Sequence, residues 1–330
     1  MMDKSAAEIM KIKHKTMRSL LNKALELRIK IDFSHIGNNL VILKHNKEKV
    51  IFKSTVIPLQ RRMGNLTTDK CHTKICLKEV GISVPRGFVA ESRSGALDLL
   101  KKMKLQFPLI LKPVNGTLAK QVVWDIKTEK ELANAISDFK KSEKTHKFKR
   151  FLVEEMQAGD EYRILMFQGK VLSCVQKRSA SVMGDGKSPI KNLIHIFNKE
   201  RNKGFDITID SVVLSRLKEN GLTMRSILPK DYVLKLRNNL NMSDGGRSID
   251  YIGKMNSCFK EICSRAVKAV GLNYGGIDLI TKNIGQKNSP YVILEINPDP
   301  AYIMHEKPLV EGKGVDISKK ILKYLFPRLK

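Results

Sequence analysis

From the N-terminus, residues 6–31 set Met17, Leu20, Leu21, Ala24 and Leu25 on one stripe among lysines, a spacing that predicts a basic amphipathic helix. Such a stripe most often docks on the body of its own protein, although membrane or nucleic acid could also take it. Two β-like runs follow, Asn39–His45 and Lys49–Ser54, joined by Asn46-Lys47-Glu48 as a hairpin. A helix is predicted from the acidic cap Asp69 to the stop at Gly81, with Lys70 and Lys74 four apart on one face. Residues 87–126 then alternate strand, helix (Ser94–Lys104), strand (Leu109–Lys112) and strand (Gln121–Ile126), and a further helix covers Glu129–Lys141. Lys140–Arg150 holds six basic residues and one acid, reads as an exposed connection, and leads into the strong strand Phe151–Met156. A subdomain boundary is placed there. The division is a basic helix and hairpin in 1–66, a small α+β unit in 67–150 and a second unit in 151–330.

The second unit opens with two strands around a turn and then a hairpin, spanning Val153–Val171, with acids clustered at the first turn. Two polar loops follow, Met183–Ser188 before a helix and Leu236–Asp250 after a strand. Glycine lets backbone N–H groups approach an anion and arginine offers a fork, so both are candidate anion cradles, but ordinary turns use the same residues. Near the C-terminus, Gly275–Ile280 and Val292–Pro298 are apolar strands carrying one acid, then an acid and an amide. Alternate strand residues share a face, so Glu295 and Asn297 project together, and the Gly285–Pro290 turn brings Asp278 alongside. Three oxygen ligands of this kind suit Mg²⁺, which keeps waters and takes its remaining ligands from substrate phosphates. A hairpin with chance polar residues is the other reading of the same spacing.

The chain has 330 residues, 61 Lys and Arg against 33 Asp and Glu, and a formal charge of +28. That length allows two or three subdomains. The charge would attract ATP, nucleic acid, an acidic peptide or an anionic lipid surface, or it marks only a solvated, Lys-rich exterior. Residues 1–66 carry 14 Lys/Arg against 5 Asp/Glu. One Trp and 6% aromatics, without any RRM, KH or zinc-finger pattern, argue against a dedicated nucleic-acid module. Five cysteines with no CxxC or Cys/His zinc spacing point to a reducing compartment rather than a disulfide scaffold. No apolar run approaches the ~18 residues of a membrane span, so a soluble cytoplasmic protein is expected.

Taken in order, the segments resemble the ATP-grasp carboxylate-amine ligases, in particular the glutathione-synthetase half of bifunctional glutathione synthases and the ligase core of cyanophycin synthetases. The resemblance runs from Asp69-Lys70-x-x-Thr73-Lys74 through Leu111-Lys112-Pro113, Val153-Glu154-Glu155, Asp160-Glu161-Tyr162-Arg163 and Gly184-Asp185-Gly186-Lys187-Ser188. It continues through Arg237-x-Asn239, Gly245-Gly246, Gly276-Ile277-Asp278, Glu295-Ile296-Asn297 and Met304-His305 to Leu325-Phe326-Pro327. It implies an α+β ATP-grasp fold in which two subdomains grip ATP, with a short N-terminal extension. It also implies an acylphosphate route to an amide, with release of ADP and phosphate.

Carried onto this chain, the resemblance gives Lys70, Lys74, Lys112 and Lys177 to the nucleotide and Glu154, Glu155 and Met156 to the adenine hinge. Glu161 or Asp160 would hold the ribose, Arg163, Arg237 and Asn239 would act on the reacting groups, and Asp278, Glu295 and Asn297 would hold one or two Mg²⁺ ions, with Mn²⁺ as the substitute. His305 is either a wall of the acceptor pocket or structural. The chain departs from the family at Leu118-Ala119-Lys120-Gln121, where Ala119 and Gln121 stand in place of glycines. The expected function is an ATP-dependent ligase acting on an amino acid or acidic peptide. The alternative is a weakly active or inactive relative that binds nucleotide or polyanion.

Overall fold

Alternation and capping account for most of the elements in the computed structural model, which describes residues 4–12, 21–22, 24–25, 29–45, 48–53, 64–115, 121–146, 149–200, 206–298, 300, 302–306, 312–317 and 320. At the N-terminus, helix α1 (Lys4–Lys11) precedes the antiparallel strands β1 (Lys30–Asp32), β2 (Leu40–His45) and β3 (Glu48–Lys53), in the order β1-β2-β3. Ile9, Ile12, Leu21 and Ala24 are buried against Ile31 and Val41. The apolar stripe therefore docks on the chain's own sheet, as far as the described residues go; Met17 and Leu20 lie outside them. Leu40, next to Val41 and on the other face of β2, enters the main core.

Helix α2 (Lys70–Glu79) starts where predicted, because Asp69 caps it: the carboxylate accepts from the N–H groups of Cys71 and His72 at 2.8 and 3.2 Å. It ends at Gly81, in the left-handed region at φ 71°. Next come β4 (Gly87–Ala90), α3 (Arg93–Met103), β5 (Leu109–Pro113), β6 (Val123–Ile126), α4 (Glu129–His146) and β7 (Phe151–Glu155). The four strands form one antiparallel sheet in the order β4-β7-β5-β6. Helices α3 and α4 cover one face, where Leu100, Leu132, Ile136 and Phe139 meet Leu109, Leu111, Phe151 and Val153. Strand alternation sends Lys112 and Glu154 to the opposite face.

One expected helix end moves, and the change of sheet lies beyond residue 150. The charged stretch after Lys140 stays helical to His146, since Lys and Glu are good helix formers and Ile136 and Phe139 already anchor the helix. The boundary at 150 would cut β7 away from the two strands it pairs with. The change of sheet falls instead at 156–159, where Gly159 adopts φ 140°.

The hairpin of β8 (Asp160–Phe167) and β9 (Lys170–Arg178) follows. A small unit comes next, made of β10 (Ser181–Met183), α5 (Ile190–Lys199), α6 (Ser211–Glu219) and β11 (Val233–Lys235), with its own core around Val182, Ile194, Val213 and Leu234. The chain then returns through β12 (Arg247–Asp250), α7 (Ser257–Ala269), β13 (Tyr274–Thr281), β14 (Tyr291–Asn297) and α8 (Ile303–Glu306). The large sheet has the order β12-β9-β8-β13-β14, antiparallel throughout. Its back face, with Tyr162, Ile164, Cys174, Ile277 and Leu279, packs on Phe259, Cys263 and Val267 of α7 and on Cys76 and Leu77 of α2. All five cysteines are free thiols. No helix among the described residues is long and apolar enough to cross a membrane.

Candidate active site

The front face of the large sheet carries the polar cluster. Asp278 on β13 lies directly opposite Glu295 on β14 and opposite Arg163 on β8, and a bulge follows immediately at Asp278/Leu279. Directly opposed residues share a face and sit close, so the three side chains converge. Asn297 donates its amide N–H to Glu295 Oε1 at 3.1 Å, which orients the amide with its oxygen as a remaining donor atom. Arg163 grips Asp278 through both oxygens, by Nε to Oδ1 and by Nη2 to Oδ2 at 2.8 Å. Gly276 makes room for this, since a Cβ there would sit 3.2 Å from Arg163 Cδ and 2.7 Å from Pro300 Cβ.

Lys177 on β9 pairs with Glu161 and stands 3.9 Å from Asp278 Oδ2. Burial pushes the Asp278 carboxyl up, but Arg163 and Lys177 outweigh it and hold it down at about 2. Burial likewise works against the charge on Lys177, and Asp278 and Glu161 overcome it, so its pKa is raised.

The sheet made of β4 to β7 contributes the opposing Lys112, and helix α2 contributes Lys70 and Lys74. Lys112 on β5 is 2.7 Å from Glu154 Oε2, and Lys74 on α2 is 2.6 Å from Glu154 Oε1. Lys70, one turn before Lys74, reaches Glu295 Oε2 at 3.6 Å. Glu295 and Glu161 both help to hold the proton on Lys112, whose pKa is raised by Glu154 against the effect of burial. Lys70 is lowered, chiefly by burial.

Two carboxylates and an amide oxygen form a hard-donor set of the kind Mg²⁺ accepts when phosphates supply further ligands. Among the described residues no group of three or more His, Cys, Asp or Glu could hold a metal by itself.

Comparison with known proteins bears on the family and the fold. Residues 67–191 match a RimK-like ATP-grasp domain. The cyanophycin synthetase of Crocosphaera subtropica is 31% identical over 274 residues, covering 79% of this chain. The glutathione biosynthesis bifunctional protein of Streptococcus mutans is 31% identical over 289 residues, covering 83%. The chain belongs to the ATP-grasp family. It spans 30% of the length of the first relative and 36% of the second. The crystal structure of a bifunctional glutathione synthetase from Pasteurella multocida superposes with a TM-score of 0.61 at 24% identity, covering 95% of this chain and 44% of that one, which shows the fold.

Not every residue expected at an ATP-grasp site joins the cluster. Glu154 and Glu155 are neighbours on one strand, so their side chains diverge. Glu155 Oε1 accepts from Arg86 Nη1 at 3.0 Å and from the Gln106 N–H at 2.9 Å, away from Lys112. Met156 is 41% exposed and donates its N–H to Pro108 O. Arg237 lies in the small unit, where Nη2 donates to Thr208 O at 3.0 Å and to Asp210 Oδ2 at 2.7 Å. Asn239 donates to Asp244 Oδ2 at 3.0 Å. Among the described residues no hydrogen bond or ion pair joins either to Asp278 or Glu295, because Asp210 holds Arg237 and Asp244 holds Asn239.

The Met183–Ser188 loop is no open cradle, since Asp185 Oδ1 already accepts from the N–H groups of Lys187 and Ser188. Leu118, Ala119, Lys120 and the Leu325-Phe326-Pro327 segment lie outside the described residues. Gln121, however, adopts φ 57°, the left-handed conformation in which a glycine is usual.

His305 is fully buried, shares a hydrogen bond with Ser173 Oγ at 3.0 Å, and is pushed down to about 3 by burial, so it is neutral at pH 7. The sequence reading missed Ser173. The signal was there, since Ser173, Val175 and Lys177 alternate onto the front face. It also missed Arg150, whose guanidinium donates to Asp69 Oδ2 at 2.9 Å and ties β7 to the start of α2.

Proposed function

We propose that this chain is an ATP-dependent carboxylate-amine ligase that makes an amide through an acylphosphate. The observation that carries the reading is the set of Asp278, Glu295 and Asn297 on one face, with Lys70, Lys112, Arg163 and Lys177 converging on it. Mg²⁺, held by Asp278, Glu295 and the Asn297 amide oxygen together with phosphate oxygens, would neutralise charge on the transferring group.

Lys70 and Lys112 would bind the β- and γ-phosphates as point charges. Arg163, a planar fork, would exchange part of its grip on Asp278 for the equatorial oxygens of the transferring phosphoryl group. A substrate carboxylate oxygen attacks the γ-phosphorus and the bond to the β,γ-bridging oxygen breaks, releasing ADP. An amine then attacks the acyl carbon, loses a proton and expels phosphate. Glu161 stays with Lys177 in this scheme and offers its second oxygen to a ribose hydroxyl.

The relatives' names, a cyanophycin synthetase and a glutathione biosynthesis protein, support an amino acid or peptide as substrate. The net charge of +28 is consistent with an acidic one. The test is Mg²⁺-dependent ADP release across a panel of amino acids and short acidic peptides, with Asp278→Asn and Glu295→Gln as controls. Release that requires a carboxylate and an amine and is lost in both variants is the expected result. Tight ATP binding with no stimulated release by any panel member would instead favour a nucleotide-binding relative without turnover, a reading to which the non-glycine Gln121 gives a physical basis.

A further inference from the structure

Lys74 and Glu154 are deeply buried charges on the lysine side of the cleft, 6% and 2% exposed. Their contacts differ from those of a ligand-facing pair. Lys74 forms an ion pair with Glu154 Oε1 at 2.6 Å and donates a hydrogen bond, at 3.2 Å, to the main-chain carbonyl of Leu294. Leu294 is the residue skipped in the β13–β14 register, immediately before Glu295. Glu154 spends its second oxygen on Lys112 at 2.7 Å. A single chain of contacts thus runs from Lys112 on one sheet, through Glu154 and Lys74, to the strand of the other sheet that carries Glu295 and Asn297.

We propose that Lys74 and Glu154 are positioning residues: they form a buried strut that sets Lys112 against the Glu295 strand, and neither touches the nucleotide. The arrangement has a charge logic. Glu154 alone beside Lys112 would hold that ammonium in a tight buried pair and compete with phosphate for it. Lys74 takes up half of the carboxylate's interaction, so Lys112 can be transferred to an incoming phosphate without leaving Glu154 uncompensated. The Leu294 carbonyl completes the environment of Lys74 and couples the strut to the metal-facing strand.

This rests on the ATP reading for its functional half, and the experiment separates the two. Lys74→Met, Glu154→Gln and the double variant are titrated calorimetrically with ATP, inosine triphosphate and AMP in Mg²⁺, and unfolded in urea. With Lys74 gone, Glu154 clings to Lys112 and ATP affinity falls about tenfold, the scale of one charge-assisted hydrogen bond, while AMP is unaffected. Adding Glu154→Gln releases Lys112 and restores ATP to within about threefold of wild type. The preference for ATP over inosine triphosphate stays unchanged in every variant.

A double variant as weak as Lys74→Met, or weaker, would overturn the proposal and make Lys74 a phosphate ligand. A collapse of base preference in Glu154→Gln would overturn it by making Glu154 an adenine contact. If the wild-type protein binds no ATP, the functional reading fails instead. The strut is then judged by unfolding alone, where the double variant loses less stability than the sum of the singles if the pair is coupled, and additive losses refute it.

Discussion

Replacing Asp278 with Asn removes one charge and leaves the shape of the side chain nearly intact. The carboxylate is 4% exposed and held by both arms of Arg163, with Lys177 3.9 Å away. Its pKa falls from 3.8 to about 2. At roughly 1.4 kcal/mol per unit, its ionised form is favoured in the fold by on the order of 2 kcal/mol. Breaking a buried pair by deleting one partner costs about 3–5 kcal/mol, and the amide oxygen still accepts one hydrogen bond, so the expected loss at pH 7 is about 2–4 kcal/mol.

The pH dependence has a definite sign. A depressed carboxyl pKa stabilises fully above the unfolded value of 3.8 and loses that contribution as pH falls through it towards 2. Asparagine does not titrate. The gap between wild type and variant, measured by urea unfolding, is therefore constant from pH 7 to about 5 and narrows below that. Turnover should drop on the order of 10²- to 10³-fold, the usual loss on removing one electrostatic stabiliser, in protein that remains folded at pH 7. A variant as stable as wild type with the same pH profile would refute the buried-pair argument. Full ADP release from a folded variant would refute the role of Asp278 as a metal ligand.

Three other substitutions sample different parts of the site. Glu295→Gln, at a side chain 30% exposed and paired only loosely with Lys70 at 3.6 Å, should cost under about 1 kcal/mol in urea unfolding yet lower turnover on the order of 10²-fold. Glu155→Ala should leave nucleotide affinity within about twofold by calorimetry, because its carboxylate faces Arg86 and Gln106 rather than the cleft; a tenfold loss would restore it to the hinge. Gly276→Ala should destabilise by about 1–3 kcal/mol and reduce ADP release, since the added methyl meets Pro300 Cβ at 2.7 Å and Arg163 Cδ at 3.2 Å.

Much of the site was legible because its chemistry lies on strands and at a capped helix, where spacing fixes direction. The two-residue interval of Glu295 and Asn297 predicted a shared face, and the amide-to-carboxylate hydrogen bond bears that out geometrically. The four-residue interval of Lys70 and Lys74 likewise turns both towards the cleft, at Glu295 and Glu154. The same alternation, applied to Glu154 and Glu155, would have separated them; the family resemblance grouped them as one hinge.

What sequence could not supply was partner choice over long separations. Nothing local says that Asp210 takes Arg237, that Arg150 reaches Asp69, or that the Leu294 carbonyl meets Lys74. A basic stretch likewise looks like a linker whether or not the strand beyond it returns to the sheet just left, as β7 does.

The net charge of the chain and the charge of the cleft are separate quantities, and only the second bears on the reaction. Lys70, Lys74, Lys112, Arg163 and Lys177 face Glu154, Glu161, Asp278 and Glu295, a near balance in a molecule whose formal charge is +28. Each cation already holds an acid. Under the proposed function an incoming nucleotide would not fall into a positive well; it would exchange partners, its phosphates taking Lys70 and Lys112 while a divalent ion takes Glu295, released by Lys70, and Asp278, on which Arg163 loosens its grip. Phosphate alone would leave Glu295 without its lysine, and metal alone would leave Lys70 without its acid, each in a partly buried setting where an unpaired charge is costly. The scheme therefore favours their arrival together. The basic exterior acts at longer range and is screened by salt, so it can speed the approach of an acidic substrate without deciding which groups the cleft receives.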